Sequence, residues 1–231
     1  MSQTIFEDLG KIDYKEAWDY QEDIFKKLVD IKLFNRDNPS ECKPVVNRLL
    51  FCEHNHVYTL GKSGTQNNLL INDQFLKTIN ATFYKIDRGG DITYHGDGQI
   101  TGYPILDLET LGLTIKDYIE KLEEAIILTL KDYNIESSRL GGSTGVWLDV
   151  GAPNTRKICA IGVKASRHIS MHGFALNVNT NLSYFNHINP CGFVDKGVTS
   201  MQKELGKELN FEEVKTNLKE KLQQVFNLSF I

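Results

Sequence analysis

The chain has 231 residues, 41% of them hydrophobic and 24% charged, which fits one large globular domain spanning residues 1–231. The formal net charge of −4 argues against general nucleic-acid binding, which needs a basic surface, and no apolar run is long enough to cross a bilayer. The four cysteines lack the close spacing of a disulfide framework, and the acidic N-terminus does not resemble a signal or transit peptide. We therefore expect a cytoplasmic protein with reduced thiols that binds neither nucleic acid nor a membrane.

The first predicted element is a helix over residues 13–33, with Asp13 and Glu16 as a possible capping box. The polar stretch 34–43 then precedes Pro44 and predicts a loop. Apolar residues recur through the helix at helical spacing and predict a face turned to the core: Tyr14, Ala17, Trp18, Ile24, Phe25 and Leu28.

Two strands are predicted next, over residues 47–54 and 57–60. Cys52, His54 and His56 alternate here, so on one strand their side chains would share a face. This leaves open a non-catalytic metal- or protein-binding module. Structural zinc sites, however, normally take four ligands at loop or knuckle spacing.

A glycine-rich segment, residues 88–99, separates predicted strands at 81–86 and 100–106. Its four glycines would let the backbone approach a ligand closely, because no Cβ intervenes. Neither the G-x-x-x-x-G-K-[ST] sequence of a nucleotide P-loop nor a directly following helix is present. The pattern therefore predicts a polar loop that encloses some other ligand.

The C-terminal half begins with the clearest predicted helix, residues 114–133, where Thr114 and Asp117 are spaced as a capping box and an apolar stripe predicts core contact. A last helix is predicted after Asn210, with Asn210 and Glu213 as its cap. Between the two helices, strands are predicted at 146–150, 157–163 and 171–178.

Cys191 stands in a loop, between a proline and a glycine that would expose it. It could be a nucleophile, whose reactive form is the thiolate, or a buried cysteine that acts as a small hydrophobe. A thiolate at neutral pH needs a nearby cation or base. Lys157, His95 and His172 are the candidates, and the residues alone do not choose among them.

Several blocks of the chain resemble one family in the expected order: residues 53–54 with 57–61, 88–96 with 98–99, 144–147, 157–158 with 160–163, 172–177 and 188–192. On these blocks the sequence is similar to the octanoyltransferases of lipoate biosynthesis, the lipoyl(octanoyl) transferases. The resemblance extends from about Tyr14 to Cys191. Because several separate motifs agree, it is much more specific than a lone glycine loop.

The resemblance implies the α/β (α+β) fold of biotin/lipoate protein ligase catalytic domains, with a mixed central sheet, a smaller second sheet and flanking helices. It implies transfer of an octanoyl group from acyl carrier protein to a lysine of a lipoyl domain, with no cofactor and no metal. The acceptors would be 2-oxo-acid dehydrogenase E2 subunits and the glycine cleavage H protein. The implied catalytic residues are Cys191, as acyl-thioester nucleophile, and Lys157, as the group that lowers its pKa.

The resemblance also assigns an acyl pocket, made of Arg88, Gly89, Gly90, Asp91, Ile92, Thr93, Tyr94, His95, Ala160, Ile161, Gly162, Gly173, Phe174 and Ala175. Phe83 and Val163 are further candidates for its apolar lining. Cys159 departs from the family pattern, in which a small residue such as alanine is usual. It stands two positions from Lys157, on what the strand pattern predicts to be the same face.

Two alternative activities share this fold: an ATP-dependent lipoate–protein ligase, and an amidotransferase that takes its octanoyl group from another lipoyl protein. For the octanoyl transfer, both protein partners, acyl carrier protein and lipoyl domain, are expected to be acidic, and this chain is itself net negative. Docking would therefore need a local basic patch. The candidate residues for the patch are Lys62, Lys85, Arg88, Arg139, Arg156, Lys164 and Arg167.

Overall fold

The computed structural model describes residues 2–189 and 197–231. The strands are β1 (Ser2–Ile12), β2 (Asn47–His54), β3 (Val57–Leu60), β4 (Thr82–Lys85), β5 (Ile92–His95), β6 (Gln99–Ile105), β7 (Ser138–Leu140), β8 (Ser143–Leu148), β9 (Arg156–Ser166), β10 (Ile169–Asn177), β11 (Gly197–Val198) and β12 (Leu228–Phe230). The helices are α1 (Tyr14–Asp37), α2 (Asp73–Thr78), α3 (Ile115–Asp132), α4 (Met201–Leu205) and α5 (Phe211–Phe226). Short 3₁₀ turns cover Gln66–Asn68 and Leu182–His187.

The larger sheet runs in the order β12-β1-β2-β6-β10-β9-β8-β7, with β11 added beside β9. It is mixed, because β1 is parallel to both of its neighbours while the strands from β2 to β7 in this order pair antiparallel. Every residue of β6 and β10 is buried. One face of the sheet packs on α3 and α5 and the other on α1, which places β6, β10 and β9 at the centre of the molecule.

The smaller sheet has the order β4-β3-β5, in which β3 is parallel to β4 and antiparallel to β5. Only Asn55 and His56 connect β2 of the larger sheet to β3 of the smaller one. The predicted fold, a mixed central sheet with a smaller second sheet and surrounding helices, is confirmed. The prediction that residues 88–99 form one long loop is wrong in part, because β5 lies inside that segment and pairs with β3.

One further prediction needs correction, and several strands have no counterpart in the sequence analysis. The first helix continues to Asp37, four residues beyond the predicted end, and Asp13 caps it by accepting from the Lys15 N–H at 2.8 Å. Strands β1 and β12 were not predicted. Residues 2–12 carry no clear alternation of apolar and polar side chains, and only parallel pairing with β2 and β12 makes this segment a strand.

Helix α3 agrees with its prediction at its N-terminus. The Thr114 side chain accepts from the Asp117 N–H, and the Asp117 carboxylate accepts from the Thr114 N–H, so the capping box is formed. Tyr118, Leu122 and Ile126 are fully buried against the larger sheet. Over residues 2–189 and 197–231, no helix combines the length and the apolar character that crossing a bilayer would require.

Candidate active site

A cavity of about 700 Å³ lies between the larger sheet and the glycine-rich segment. Its lining includes Lys157 and these predicted pocket residues: Arg88, Gly89, Gly90, Asp91, Ile92, Thr93, His95, Ala160, Ile161, Gly162, Gly173, Phe174 and Ala175. Residues that are far apart in the sequence therefore meet around one hollow. The strands β9 and β10, joined by a tight turn, bring the last six of these residues to it.

The floor of the cavity is made of small residues on β9 and β10. Ala160 pairs with Ala175, and Gly162 pairs with Gly173. Lys157 lies on β9 at one end, and Val163, six residues further on, lies at the other. At about 3.3 Å per residue the cavity therefore follows the strand for about 20 Å. A floor of this length suits an extended chain.

The segment Arg88–Gly90 forms the opposite wall and crosses β9 at close range. The Gly89 N–H donates to Val163 O at 2.9 Å, and a Cβ on Gly162 would lie 2.8 Å from Gly89 O and 2.9 Å from Arg88 Cδ. A Cβ on Gly61 would lie 2.8 Å from Arg88 Nη1. Glycine at 61 and 162 is therefore what allows this wall to approach its neighbours.

Arg88 is buried and fixed to the smaller sheet. Its Nη2 donates to Thr59 O at 2.8 Å and to Thr59 Oγ1 at 3.0 Å, and its Nη1 donates to Gly89 O at 3.0 Å. Asp91, also buried, accepts from Asn68 Nδ2 at 2.7 Å and from the Ile92 N–H at 2.6 Å. Both charged side chains thus anchor the wall from behind.

A chain of hydrogen bonds extends from Arg88 to the larger sheet. Thr59 Oγ1 lies 3.3 Å from His95 Nε2, and His95 Nδ1 lies 2.8 Å from Gln99 Oε1. The Gln99 amide donates to Asn177 Oδ1 at 2.9 Å, so its oxygen is the acceptor that faces His95. We assign the proton of neutral His95 to Nδ1 from this network. Burial lowers the His95 pKa from 6.5 to about 3, so the ring stays uncharged.

Lys157 is half-buried, with its Nζ 4.5 Å from the centre of the Trp147 ring. Trp147 is the cross-strand partner of Lys157, and both line the cavity. Gly145 has φ +122°, and a Cβ there would lie 2.6 Å from Cys159 O and 3.5 Å from Lys157 Cε. Glycine at 145 and the indole at 147 therefore set the path of the lysine side chain.

The prediction that Lys157 and Cys159 share a strand face is wrong. The register of β8 and β9 shifts between the pairs Val146–Cys159 and Trp147–Lys157, which is a bulge. As a result Cys159 lies in the core beside its neighbour Ile158, fully buried, while Lys157 lines the cavity. Burial raises the pKa of the Cys159 thiol, so this cysteine is not a thiolate candidate.

Cys191 lies outside the described residues. On one side of it, the Asn189 N–H donates to Asn68 O at 2.8 Å, and Asn68 is the residue that holds Asp91. On the other side, Val198 pairs with Lys157 and lines the cavity. The described chain therefore stops beside Asn68, which holds the cavity residue Asp91, and resumes beside Lys157.

His172 and Tyr94, two further predicted residues, occupy different places. His172 lines the cavity, with φ +60°, and its Nε2 lies 2.9 Å from Asp87 Oδ1. Burial lowers the His172 pKa, and hydrogen bonds from His172 and Lys164 lower the Asp87 pKa. Tyr94 does not line the cavity. It lies on β5, and its side chain is fully buried in the core of the smaller sheet.

Phe83, expected in the apolar lining, also packs in the core of the smaller sheet. In contrast, Ile115 and Ile119 belong to the apolar stripe that predicted core contact for helix 114–133, and both line the cavity. Tyr14 and Tyr103 line it as well, and the ring of Tyr14 stacks on His95 at 5.8 Å. No signal in the sequence separates these four residues from ordinary core positions, because only the fold decides which apolar face meets a cavity.

The predicted Cys52–His54–His56 group does not share one face. His54 Nε2 lies 2.6 Å from Tyr103 Oη, and its Nδ1 lies 3.0 Å from Ile12 O. His56 lies in the turn before β3 and stacks on Tyr184 at 4.2 Å. Across the described ranges, no cluster of three His, Cys, Asp or Glu side chains has the arrangement of a metal site.

Four of the seven predicted docking residues are already engaged. Arg88 is buried, Arg139 pairs with Glu123 and Glu124, Arg156 pairs with Asp149 and Glu204, and Lys164 pairs with Glu22 and Asp87. The other three, Lys62, Lys85 and Arg167, are exposed. Lys62 is closest to the cavity, because its N–H donates to Arg88 O at 3.0 Å and Ser63 lines the opening.

Solved structures of similar fold are lipoate and biotin ligases. A bipartite lipoate protein ligase from Thermoplasma acidophilum, solved in a study of that ligase and its E2 lipoyl domain, superposes with a TM-score of 0.72 at 14% identity, over 100% of this chain and 86% of that one. A lipoate-protein ligase A bound with ATP gives 0.65 at 13% identity, over 100% and 87%. These similarities define the fold class.

Curated relatives are much closer. An octanoyltransferase of Christiangramia forsetii is 60% identical over 94% of this chain and 93% of its own length, and one of Flavobacterium psychrophilum is 55% identical over the full length of both. The model of the lipoyl protein ligase A/B catalytic domain matches residues 13–223. The chain belongs to this family.

We expect His95 to make the protein sensitive to acid. Its folded pKa of about 3 lies below the unfolded value of 6.5, so the unfolded state binds more protons between these values and stability falls as pH falls. At pH 5 the unfolding free energy is lower by about 2 kcal/mol because of His95. Replacing His95 by Gln removes this loss, so the change in unfolding free energy between pH 7 and pH 5, measured with urea, should shrink by about that amount.

The matched control is His168→Gln, at an exposed histidine in the turn between β9 and β10. The lowered pKa of His54 is common to all three proteins and cancels in the comparison. An equal pH dependence in wild type and His95→Gln would contradict the prediction.

Proposed function

We propose that this protein is an acyltransferase that moves an octanoyl group from acyl carrier protein to a lysine of a lipoyl domain, in lipoate biosynthesis. The observation that carries the proposal is the long cavity with Lys157 at one end and a floor of Ala160, Gly162, Gly173 and Ala175. Full-length relatives at 55% and 60% identity, each an octanoyltransferase, support it.

The size of the cavity suits an acyl chain. One carbon of such a chain takes about the volume of one water molecule, roughly 30 Å³, so eight carbons need about 240 Å³. The cavity holds about 700 Å³. Each CH₂ buried there contributes about 0.8 kcal/mol, which supplies most of the binding energy of a saturated chain.

In the proposed reaction the Cys191 thiolate attacks the carrier-bound thioester and releases the phosphopantetheine thiol. The neutral amine of the target lysine then attacks the enzyme thioester and frees Cys191, in a ping-pong sequence. Lys157 lies at the cavity end where the described chain resumes at Val198, which supports a role for its ammonium in favouring the thiolate. Backbone N–H groups would stabilise the oxyanion.

Three glycine N–H groups are not available for that oxyanion, because each already donates within the protein. Gly89 donates to Val163 O at 2.9 Å, Gly98 to Glu53 Oε2 at 2.8 Å, and Gly145 to Glu123 Oε1 at 2.9 Å. The donors of the proposed oxyanion hole therefore lie elsewhere in the cavity wall.

The rival activities differ in donor. A lipoate–protein ligase of this fold activates a free acid with ATP, whereas an amidotransferase takes its octanoyl group from another lipoyl protein. The two ligases of known structure compared above share only 13–14% identity with this chain and so support the fold alone. The close relatives favour octanoyl transfer but leave the amidotransferase donor as the second candidate.

The covalent intermediate gives the first test. Wild-type protein mixed with octanoyl-acyl carrier protein should gain the mass of one octanoyl group, measured on the intact chain. The gain should disappear in Cys191→Ser and persist in Cys159→Ala, since Cys159 is fully buried in the core. An adduct that survives in Cys191→Ser would exclude that residue as the nucleophile.

The same assay separates the donors. ATP with free octanoate replaces the carrier protein in one arm, and an octanoylated lipoyl domain replaces it in another. An adduct formed only with the lipoyl domain would identify the amidotransferase. ATP-dependent modification of a lipoyl domain, without any enzyme adduct, would identify the ligase.

The role of Lys157 is tested by the rate at which iodoacetamide alkylates Cys191, followed against pH. Removal of a nearby ammonium disfavours the thiolate, so the profile of Lys157→Ala should shift to higher pH than that of wild type. Lys157→Arg is the matched variant, because it keeps the positive charge beside Trp147. Identical profiles for wild type and Lys157→Ala would remove Lys157 from this role.

Docking of the carrier protein is tested at the exposed basic residues. Charge reversal by Lys62→Glu, alone and with Lys85→Glu and Arg167→Glu, should raise KM for octanoyl-acyl carrier protein at low salt and leave kcat nearly unchanged. The control is Lys131→Glu, an exposed lysine in the last turn of α3, about 24 Å along the helix from Ile115 at the cavity. Equal KM values for the reversal variants and the control would contradict this docking surface.

A further inference from the structure

Glu123 stands out on helix α3, because it places a charged side chain on the buried face of that helix. Ile115, Ile119 and Glu123 are four residues apart, so they follow one side of α3. The two isoleucines line the cavity. Glu123, one turn further along, is only 5% exposed, and carboxylates are seldom buried without a partner.

Each oxygen of this carboxylate accepts a hydrogen bond. Glu123 Oε2 accepts from Arg139 Nε at 3.1 Å, on a side chain that is 41% exposed and that also pairs with Glu124 at 2.7 Å. Glu123 Oε1 accepts from the Gly145 N–H at 2.9 Å. The bond to Gly145 is buried and joins α3 to β8, so its loss would leave a backbone N–H unpaired.

Gly145 lies at a gap in the register of the described strands. β8 pairs with β7 through Ser143 and then through Val146, and its pairing with β9 begins at Val146. The N–H of Gly145 is therefore left without a strand partner, and the carboxylate of Glu123 takes that place. Glu123 thus fixes the backbone of β8 at its bulge.

The same part of β8 supports the side chain of Lys157. Its Cε and Cδ lie 3.5 Å and 3.6 Å from the position that a Cβ on Gly145 would take, so the methylene chain of the lysine runs over bare backbone. Its Nζ lies 4.5 Å from the ring centre of Trp147, two residues further along β8. Gly145 and Trp147 therefore both belong to the segment that Glu123 holds.

The charges of Glu123 and Lys157 lie near the same part of β9. Burial raises the pKa of the Cys159 thiol, the charge of Lys157 lowers it, and the charge of Glu123 raises it further. A buried negative charge is therefore placed behind the cation that the proposed reaction uses.

We propose that Glu123 is a positioning residue for the acyl transfer, which acts through Gly145 to hold the ammonium of Lys157 in the cavity. The inference rests on the proposed function, in which that ammonium favours the thiolate of Cys191. Glu123 does not itself line the cavity, so its effect passes through β8.

The position of the lysine is measured without any reaction. Reductive ¹³C-methylation keeps the positive charge of each lysine and gives it an NMR signal, and Lys157→Arg identifies the signal of Lys157. The ring current of Trp147 should shift this signal away from those of exposed lysines. In Glu123→Leu, which cannot accept from Gly145, we expect the shift to be lost, whereas Glu123→Gln keeps an acceptor oxygen and should preserve it.

The reaction gives the second readout. In Glu123→Leu the alkylation profile of Cys191 should move to higher pH, as in Lys157→Ala, and kcat for octanoyl transfer should fall by about tenfold with little change in KM. Glu123→Gln should keep the wild-type values. The control is Glu124→Leu, at a neighbour that pairs with the same arginine and whose side chain is 42% exposed.

Two results would overturn the proposal. One is a Glu123→Leu protein that loses stability but keeps the wild-type lysine signal and alkylation profile. The other is an equal loss in Glu123→Gln, which would mean that the charge acts and not the bond to Gly145. Should Glu123→Leu not fold, Glu123→Asp replaces it, because the shorter side chain withdraws the carboxylate from Gly145 and is expected to give the same losses.

The two readouts also separate this inference from the proposed reaction. If Lys157→Ala leaves the alkylation profile of Cys191 unchanged, the proposed role of Lys157 fails. The methylation signal still decides in that case whether Glu123 positions the lysine.

Discussion

The close contact between Arg88–Gly90 and β9 is the constraint on which the rest of the site depends. The backbone at Gly89 lies against Gly162 and Val163, so a side chain at 162 would push the wall off the floor. The Arg88 guanidinium, bonded to both Thr59 oxygens, fixes that wall to the smaller sheet. The two sheets are thus held at a separation that leaves room for a chain of carbon atoms.

Asp91 connects the same wall to the segment that ends at Asn189. Its carboxylate holds the Asn68 amide, and Asn68 in turn holds the backbone of Asn189. On the far side, β11 pairs with β9 opposite Lys157. The cavity, Lys157 and the described residues Asn189 and Val198 are therefore connected by hydrogen bonds and strand pairing.

The bulge between β8 and β9 separates the side chains of Lys157 and Cys159. Without it, Lys157 and Cys159 would point the same way, and a buried thiol would stand beside the cation in the cavity. The register shift instead sends Cys159 into the core, where burial raises its pKa, and leaves Lys157 over Trp147. Lys157 therefore places its ammonium group in the cavity, while the Cys159 thiol on the core side of β9 stays protonated.

The sequence by itself determined the features that depend only on residues close to one another in the chain. It predicted the capping box of α3, and the short blocks around Gly89, Lys157 and Gly173 identified the family. Of the fourteen residues predicted for the acyl pocket, all but Tyr94 line the cavity. Only the tertiary structure decided which face each strand residue presents, because that depends on pairing with strands remote in the sequence. That is why Tyr94 lies in the core of the smaller sheet, whereas Tyr14, Tyr103 and Ile115 line the cavity.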